Sequence, residues 1–253
     1  MDEFIFKVFA SSSSGNCAFL RANGLNVLID AGISASRIRK SLSQFGLGLG
    51  DLNAVFITHE HSDHCCALKS LAKFPSISVF ASQVTCEMIN YKLPEAKDLS
   101  WKVFKSGQSF AYESFKIKTY SLPHDASDTV AYLIDTGLKR VLWMTDLGKP
   151  TLLAKEAAKL ANILVLESNY CPKMLERSRR PMNLKRRISG THGHLSNADA
   201  ISILSELNPD VLERAVLAHI SKECNDVRHV AELISVLPEP ILSKIEIFDP
   251  YTP

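Results

Sequence analysis

The chain has 253 residues, a hydrophobic content of 46% and a formal net charge of +2. These values are typical of a globular protein with a sizeable core, too long for a minimal module, and we predict one domain over residues 1–253. No apolar run reaches the roughly 18 residues that cross a bilayer, so a membrane span is excluded, and the small net charge alone indicates no partner.

The first half of the chain is predicted to contain mainly short strands. Apolar residues alternate at the start, and a serine-rich turn at 11–16 follows them. Ile38, Leu42 and Phe45 have helical spacing, and Gly46 lies where a helix commonly ends. Short apolar segments predict strands near 18–20, 27–29, 54–57, 77–80 and 115–119.

The second half alternates strands with helices. Segments 129–134 and 140–144 are predicted strands, and Thr136-Gly137 between them indicates a hairpin turn. Helices are predicted at 152–160, 198–207 and 227–236, and strands near 163–166, 216 and 245–248. Helices outside two packed sheets are the layering that this pattern favours.

A dense group of polar residues follows the predicted strand at 54–57. His59 and His61 project to the same side of an extended segment, while Asp63 and His64 can face a second point. A single histidine at a strand end is usually a hydrogen-bonded surface or core residue, but a cluster this dense rarely lacks a metal. Nitrogen and carboxylate oxygen suit zinc, with manganese or iron as looser fits. The cluster therefore predicts a pair of divalent metal ions.

Three more candidate ligands come later in the chain. His124, Asp146 and His219 each lie just past the carboxyl end of a predicted strand, where site residues tend to gather. Each alone would be a weak candidate, because an aspartate after a strand more often caps a helix or a turn. Their shared placement favours a common role.

Segment 59–64 resembles the HxHxDH signature of the metallo-β-lactamase superfamily. Segments 28–32, 122–125, 143–148 and 216–219 resemble the other motifs of that superfamily, in order. The resemblance implies an α/β fold class, with a four-layer αββα sandwich and a two-metal site along one sheet edge.

The same resemblance implies a role for each candidate ligand. One ion is held by His59, His61 and His124. The other ion is held by Asp63, His64 and His219, and Asp146 bridges the two. Asp30 is implied as a residue that orients ligands or the local backbone.

Further segments resemble the bacterial YycJ/WalJ group of the superfamily. These are 13–16, 61–64, 167–170, 184–188, 193–197 and 217–222. The resemblance implies a metal-dependent 5′-to-3′ exonuclease that acts on DNA, with a link to DNA repair. The nucleophile is then a hydroxide shared by the two cations.

Two residues are assigned catalytic roles and four are assigned to substrate binding. Asp63, also a ligand, and His194 are the catalytic candidates, and His194 is the proposed acid for the leaving oxygen. His194 lies just before a predicted helix start, because Ser196-x-x-Asp199 resembles a capping box. A loop histidine that bonds to backbone is an equally reasonable reading. The predicted substrate-binding residues are Lys185, Arg187, Ser196 and Asn197.

The stretch between Cys171 and Gly190 is strongly basic, with seven lysines and arginines against Glu176 alone. Such a run is often only a solvated face. If it borders the metal site, it forms a strip that follows phosphates, which favours nucleic acid, and DNA in particular, as partner.

Three alternatives stay open. A thioester or lactone hydrolase would use the same hydroxide but would leave the basic stretch and His194 without a purpose. A ribonuclease is closer, although the interval between Asp146 and His219 is too short for the inserted domain of β-CASP nucleases. A non-enzymatic regulatory module is disfavoured, because the ligand set is complete.

The cysteines and the start of the chain predict a cytoplasmic protein with no membrane partner. Residues 1–4 do not resemble a signal or transit peptide. Six cysteines are scattered without a CxxC pair, which predicts free thiols in a reducing compartment. Cys65 and Cys66 are predicted to pack in a helix rather than to bind metal.

Overall fold

The computed structural model describes residues 3–249 of the chain. Residues 1–4 are predicted not to form a signal or transit peptide, and two of them, Met1 and Asp2, lie outside the described residues. The strands are β1 Ile5–Ser12, β2 Gly15–Ala22, β3 Leu25–Ile29, β4 Ala54–Phe56, β5 Ser78–Ser82, β6 Ser100–Phe104, β7 Ser109–Tyr112, β8 Phe115–Leu122, β9 Thr129–Asp135, β10 Arg140–Met144, β11 Ile163–Glu167, β12 Arg214–Ala218 and β13 Ile245–Ile247. The helices are α1 Ala35–Ser43, α2 Ser62–Cys65, α3 Leu68–Leu71, α4 Gln83–Lys92, α5 Leu152–Lys159, α6 Pro172–Arg177, α7 Met182–Ile188, α8 Asn197–Leu204, α9 Val227–Ile234 and α10 Glu239–Leu242. Two 3₁₀ turns lie at Leu49–Asp51 and Pro94–Asp98.

The described residues divide into two units. The first unit comprises residues up to 108 together with 126–130, and the second comprises 109–125 and the residues from 131 onward. One domain over residues 1–253 stays a prediction.

The first unit contains a six-stranded sheet in the order β1-β2-β3-β4-β5-β6. Strands β3 to β6 run parallel to one another, so the carboxyl ends of β3 and β4 lie at the same edge. Helix α1 covers part of this sheet, because Ile38 and Leu42 are one turn apart and both are buried. Ser34 caps the start of α1 by accepting a hydrogen bond from the backbone N–H of Arg37. Helix α1 thereby shares one core with β3 and β4 of this sheet.

The second unit contains a seven-stranded sheet in the order β13-β12-β11-β10-β9-β8-β7. Strands β10 to β13 are parallel, so the carboxyl ends of β10, β11 and β12 open at a common edge. The fully buried Leu142, Leu164 and Leu217 belong to the core under this edge. Burial of each such side chain stabilises the fold by about 1.5–3 kcal/mol.

Most predicted elements are confirmed, including the antiparallel hairpin of β9 and β10, whose Gly137 has a φ of +79°. The structure also has elements that the sequence did not predict: α4, β6, β7, α6, α7 and α10. Packing is confirmed for Cys65, which is buried, but is wrong for Cys66, which follows the last residue of α2 and is exposed to solvent. All six cysteines are free thiols. Among the described helices, none has both the length and the apolar character that a bilayer crossing requires.

Candidate metal centre

In the first unit, the chain leaves β4 and turns into the histidine cluster. His59 is fully buried, and its Nδ1 lies 3.0 Å from the hydroxyl of Thr58. This contact occupies one ring nitrogen, and the other, Nε2, faces Nδ1 of His61 at 3.1 Å. Two nitrogens bound to one tetrahedral zinc ion lie roughly 3.4 Å apart. The pair therefore suits a shared cation.

The next histidine of the cluster is held by a buried carboxylate. Asp30 follows β3 with a φ of +58°, and its Oδ2 lies 2.7 Å from Nδ1 of His64. Because a carboxylate only accepts, His64 carries its proton on Nδ1, which leaves Nε2 to bind a ligand. Asp30 also accepts from the backbone N–H and the hydroxyl of Thr58. These contacts are those of an orienting residue, and the role assigned to Asp30 stays a prediction.

Two neighbours face the Nε2 atom of His64. The side-chain amide of Asn16 lies 3.0 Å from it, and Oδ2 of Asp63 lies 3.5 Å from it. Glu60, the remaining acidic residue of the cluster, accepts hydrogen bonds from the backbone and hydroxyl of Ser127 instead. Asp63, and not Glu60, is therefore the carboxylate that accompanies His64.

A glycine allows two loops of this unit to approach closely. A Cβ on Gly32 would lie 1.6 Å from the backbone oxygen of Asp63 and 2.7 Å from the backbone nitrogen of His64. We expect Gly32→Ala to lower the free energy of unfolding by about 1–3 kcal/mol, the usual cost of overpacking. Denaturant unfolding measures this change. Gly50→Ala is the matched control, because its Cβ would meet only Phe74 at 3.5 Å, and an equal loss in both variants would contradict the argument.

In the second unit, the strand ends bring acidic and imidazole groups together. Asp146 follows β10 and His219 follows β12, with left-handed φ values of +59° and +54°. Oδ1 of Asp146 lies 3.6 Å from Nδ1 of His219 and 3.8 Å from Nε2 of His124. The other nitrogen of His124, Nδ1, donates to the backbone oxygen of Gly193 at 2.9 Å. His124 thus presents Nε2 toward Asp146.

Glu167, the last residue of β11, links these groups and was not among the predicted site residues. It is fully buried, and its Oε1 lies 2.7 Å from Nδ1 of both His194 and His219. Its Oε2 accepts from the backbone N–H of Leu147 and of Leu195, the neighbours of Asp146 and His194. Burial disfavours the charged carboxylate, but the charge of His194 and the histidine hydrogen bonds outweigh it and lower the pKa of Glu167 to about 2.

His194 lies two residues before the N-cap of α8, as predicted. Its backbone N–H donates to the oxygen of Ile188 at 2.9 Å, and its side chain is 22% exposed. Burial lowers the pKa of His194, but the neighbouring Glu167 carboxylate prevails and raises it. Glu167 therefore holds the His194 side chain. The alternative was a loop histidine whose side chain bonds to backbone.

The four predicted substrate-binding residues are engaged in protein contacts. Lys185 donates to the backbone oxygen of Glu176, and Arg187 forms an ion pair with Asp125. Ser196 is the N-cap of α8, and Asn197 is buried and exchanges two hydrogen bonds with the amide of Asn225. Their roles in substrate binding stay predictions.

The donor chemistry of both clusters fits a divalent metal. In the second unit, ligand atoms of Asp146, Glu167, His194 and His219 lie within 4.8 Å of one another. Imidazole nitrogen and carboxylate oxygen are ligands for zinc and related ions. Buried carboxylates order the histidine rings in each unit, which is the arrangement expected behind metal ligands.

A family comparison decides the affiliation of the chain. The family described as "Beta-lactamase superfamily domain" matches residues 25–220. The chain belongs to this family. Two relatives of this chain are the exodeoxyribonuclease YycJ of Bacillus anthracis and the exodeoxyribonuclease WalJ of Streptococcus pneumoniae serotype 2. YycJ is 28% identical over 90% of this chain and 86% of its own length, and WalJ is 29% identical over 92% and 87%.

A solved structure agrees with the family affiliation. The metallo-β-lactamase fold protein YhfI from Bacillus subtilis is similar with a TM-score of 0.73 and 16% identity, over 98% of this chain and 97% of YhfI. The predicted superfamily, the resemblance to the YycJ/WalJ group and the α/β fold class are confirmed. The protein is an enzyme with a hydrolase fold.

Proposed function

We propose that the protein is a metal-dependent phosphodiesterase, specifically a 5′-to-3′ exodeoxyribonuclease with a role in DNA repair. The observation that carries this proposal is the Glu167 carboxylate, which orders both His194 and His219 through Nδ1. Two relatives that share most of their length with this chain are named exodeoxyribonucleases, which supports the substrate class. Free thiols in all six cysteines agree with a cytoplasmic location.

The proposed cofactor is a pair of divalent ions, zinc or manganese. The ligands would be the seven predicted ones: His59, His61, Asp63, His64, His124, Asp146 and His219. Such ions, when bound, lower the pKa of water and neutralise charge that develops on a phosphate.

The protein's own groups would supply orientation and proton transfer. Glu167 holds Nδ1 of His194, so Nε2 of His194 is the atom that would donate a proton to the leaving 3′ oxygen. Asp63, whose side chain is 20% exposed, would accept a proton from the attacking water. Asp30 would keep His64 in the tautomer that leaves Nε2 available.

Digestion of end-labelled duplex DNA tests the substrate class and the direction together. We expect the purified protein with zinc or manganese to release nucleotides from the 5′ end, and a chelator to stop the reaction. Duplexes labelled at the 5′ or the 3′ end, with and without terminal phosphate, report the direction of digestion.

Parallel reactions with RNA and with S-lactoylglutathione compare the alternative substrates. Faster hydrolysis of the thioester than of DNA would contradict a phosphodiesterase. Preference for RNA would replace the deoxyribonuclease with a ribonuclease.

A further inference from the structure

The basic stretch folds as two short helices in the second unit. We call α6, α7 and the residues between them, 172–188, the basic hairpin. Its apolar residues Leu175 and Ile188 are buried against Tyr170 and Cys224. The charges of the hairpin are therefore carried on a packed support, and they do not belong to a loose segment.

The seven cations of the basic hairpin fall into two sets. Arg180 pairs with Glu223 at 3.1 Å. Lys185 donates to the backbone oxygen of Glu176, and Arg187 pairs with Asp125. The other four are all exposed, and no carboxylate of residues 3–249 lies within 4.0 Å of them: Lys173, Arg177, Arg179 and Arg186.

Several other cations of the same unit are neutralised by carboxylates. Lys139 pairs with Glu213, and Arg214 pairs with Glu246 at 2.7 Å. Lys155 and Lys159 both contact Glu206. Four unpaired positive charges on one short hairpin repel one another, and a polyanion would relieve that repulsion. The hairpin is thus a candidate surface for a chain of phosphates.

The basic hairpin is fixed to the turn that carries His194. The backbone oxygen of Ile188, at the end of α7, accepts the backbone N–H of His194 at 2.9 Å. A Cβ on Gly193 would lie 2.2 Å from the backbone oxygens of Arg187 and Ile188, so the turn lies directly against the helix end. The Arg187–Asp125 ion pair also joins α7 to the residue next to His124. The end of α7, which carries Arg186, is therefore held next to the turn of His194.

We infer that the basic hairpin binds the phosphate backbone of a DNA strand, through Lys173, Arg177, Arg179 and Arg186. This inference rests on the proposed function and names its substrate-gripping surface. Lys173 and Arg177 are four residues apart on α6, so they share a face at a spacing of roughly 6 Å. Charge contacts of this kind hold a strand in place without reading its bases. Lys185 is bonded within the hairpin and Arg187 is paired with Asp125, so the inference does not depend on either of them.

Salt-dependent DNA binding tests the inference separately from catalysis. The double variant Arg177→Gln/Arg186→Gln removes one cation from each helix. Binding of the metal-loaded protein to a fluorescent duplex with phosphorothioate linkages at both ends is measured by anisotropy over a series of salt concentrations. Each lost phosphate contact reduces the slope of log K against log salt by about 0.9 on duplex DNA, so we expect the slope to flatten by about 1.8.

The control is Lys116→Gln/Lys139→Gln, which removes the same number of positive charges from the second unit, one of them unpaired among residues 3–249 and one paired with Glu213. Lys116 lies near the start of β8 and Lys139 precedes β10, at the strand ends opposite those that lead to His124 and Asp146. We expect this control to keep the wild-type slope. If Arg177→Gln/Arg186→Gln does not fold, Lys173→Gln/Arg179→Gln makes the same measurement.

An unchanged slope in the hairpin variants, or equal flattening in the control, would overturn the inference. Either outcome would indicate that the hairpin serves another partner, such as an acidic protein. Failure of the proposed function is a different result, because an inactive wild type would still show the difference in binding between the hairpin variants and the control.

Discussion

Asp146→Asn is expected to abolish hydrolysis of labelled duplex DNA while sparing its binding. Asp146 lies between His219 and His124, with its Oδ1 within 3.8 Å of a nitrogen of each. Loss of a residue that merely supports a metal ligand costs about 10–100-fold in activity or metal affinity. Loss of a charge that itself binds the metals, which is the role proposed for Asp146, should cost more than about a hundredfold. Single-turnover digestion, DNA anisotropy and elemental analysis for metal measure the three quantities.

Asp210→Asn serves as the control, because Asp210 belongs to the same unit but is exposed. The control should retain wild-type activity and metal content. Undiminished hydrolysis by Asp146→Asn would refute the assigned centre, whatever the control shows.

Glu167→Gln is expected to lower kcat/KM by about 10–100-fold and to destabilise the fold. The carboxylate accepts four hydrogen bonds, two on each oxygen. A glutamine turns an NH₂ group toward one pair of these donors, and a buried donor left unsatisfied costs about 1–3 kcal/mol. Thermal unfolding, kcat/KM and bound metal are the measurements.

Glu232→Gln is the control for this variant, because the side chain of Glu232 is 79% exposed. A purely structural role for Glu167 would lower stability but leave the metal content and kcat/KM of the folded fraction unchanged. That outcome would remove Glu167 from the site.

The parts of the site that could be predicted from sequence depend on local geometry. Asp146 and His219 each follow a short apolar segment, and parallel strands necessarily end at a common edge. His59 and His61 follow β4 directly, so their convergence needed no knowledge of distant residues. Strand ends and nearby spacing are therefore sufficient to predict that these side chains converge, while their roles as metal ligands stay predictions.

Glu167 could not be assigned from sequence because its partners are distant along the chain. His194 is 27 positions away and His219 is 52 positions away. The rule applied to Asp146 also fits Glu167, since it ends an otherwise apolar strand. That signal alone, however, does not distinguish a site carboxylate from a cap.

The helices of the basic hairpin were missed for a related reason. The seven cations of the hairpin obscure the few apolar residues, and the core of Leu175 and Ile188 is completed by Cys224, which comes much later in the chain. Arg187 forms its ion pair with Asp125, which lies 62 positions earlier in the chain. Tertiary contacts, and not local propensity, decide which cations of this stretch are available.

The left-handed backbone at Asp30, Asp146 and His219 has a consequence for the history of such a protein. Each residue holds a conformation that costs on the order of 1 kcal/mol or more and that glycine would adopt without penalty. In a duplicated copy released from selection for turnover, glycine at Asp146 or His219 would relieve this strain, whereas Asp30 would be retained for the buried hydrogen bonds that it accepts from Thr58 and His64. Decay of function in this fold would then begin at the strand ends and would leave the two sheets intact.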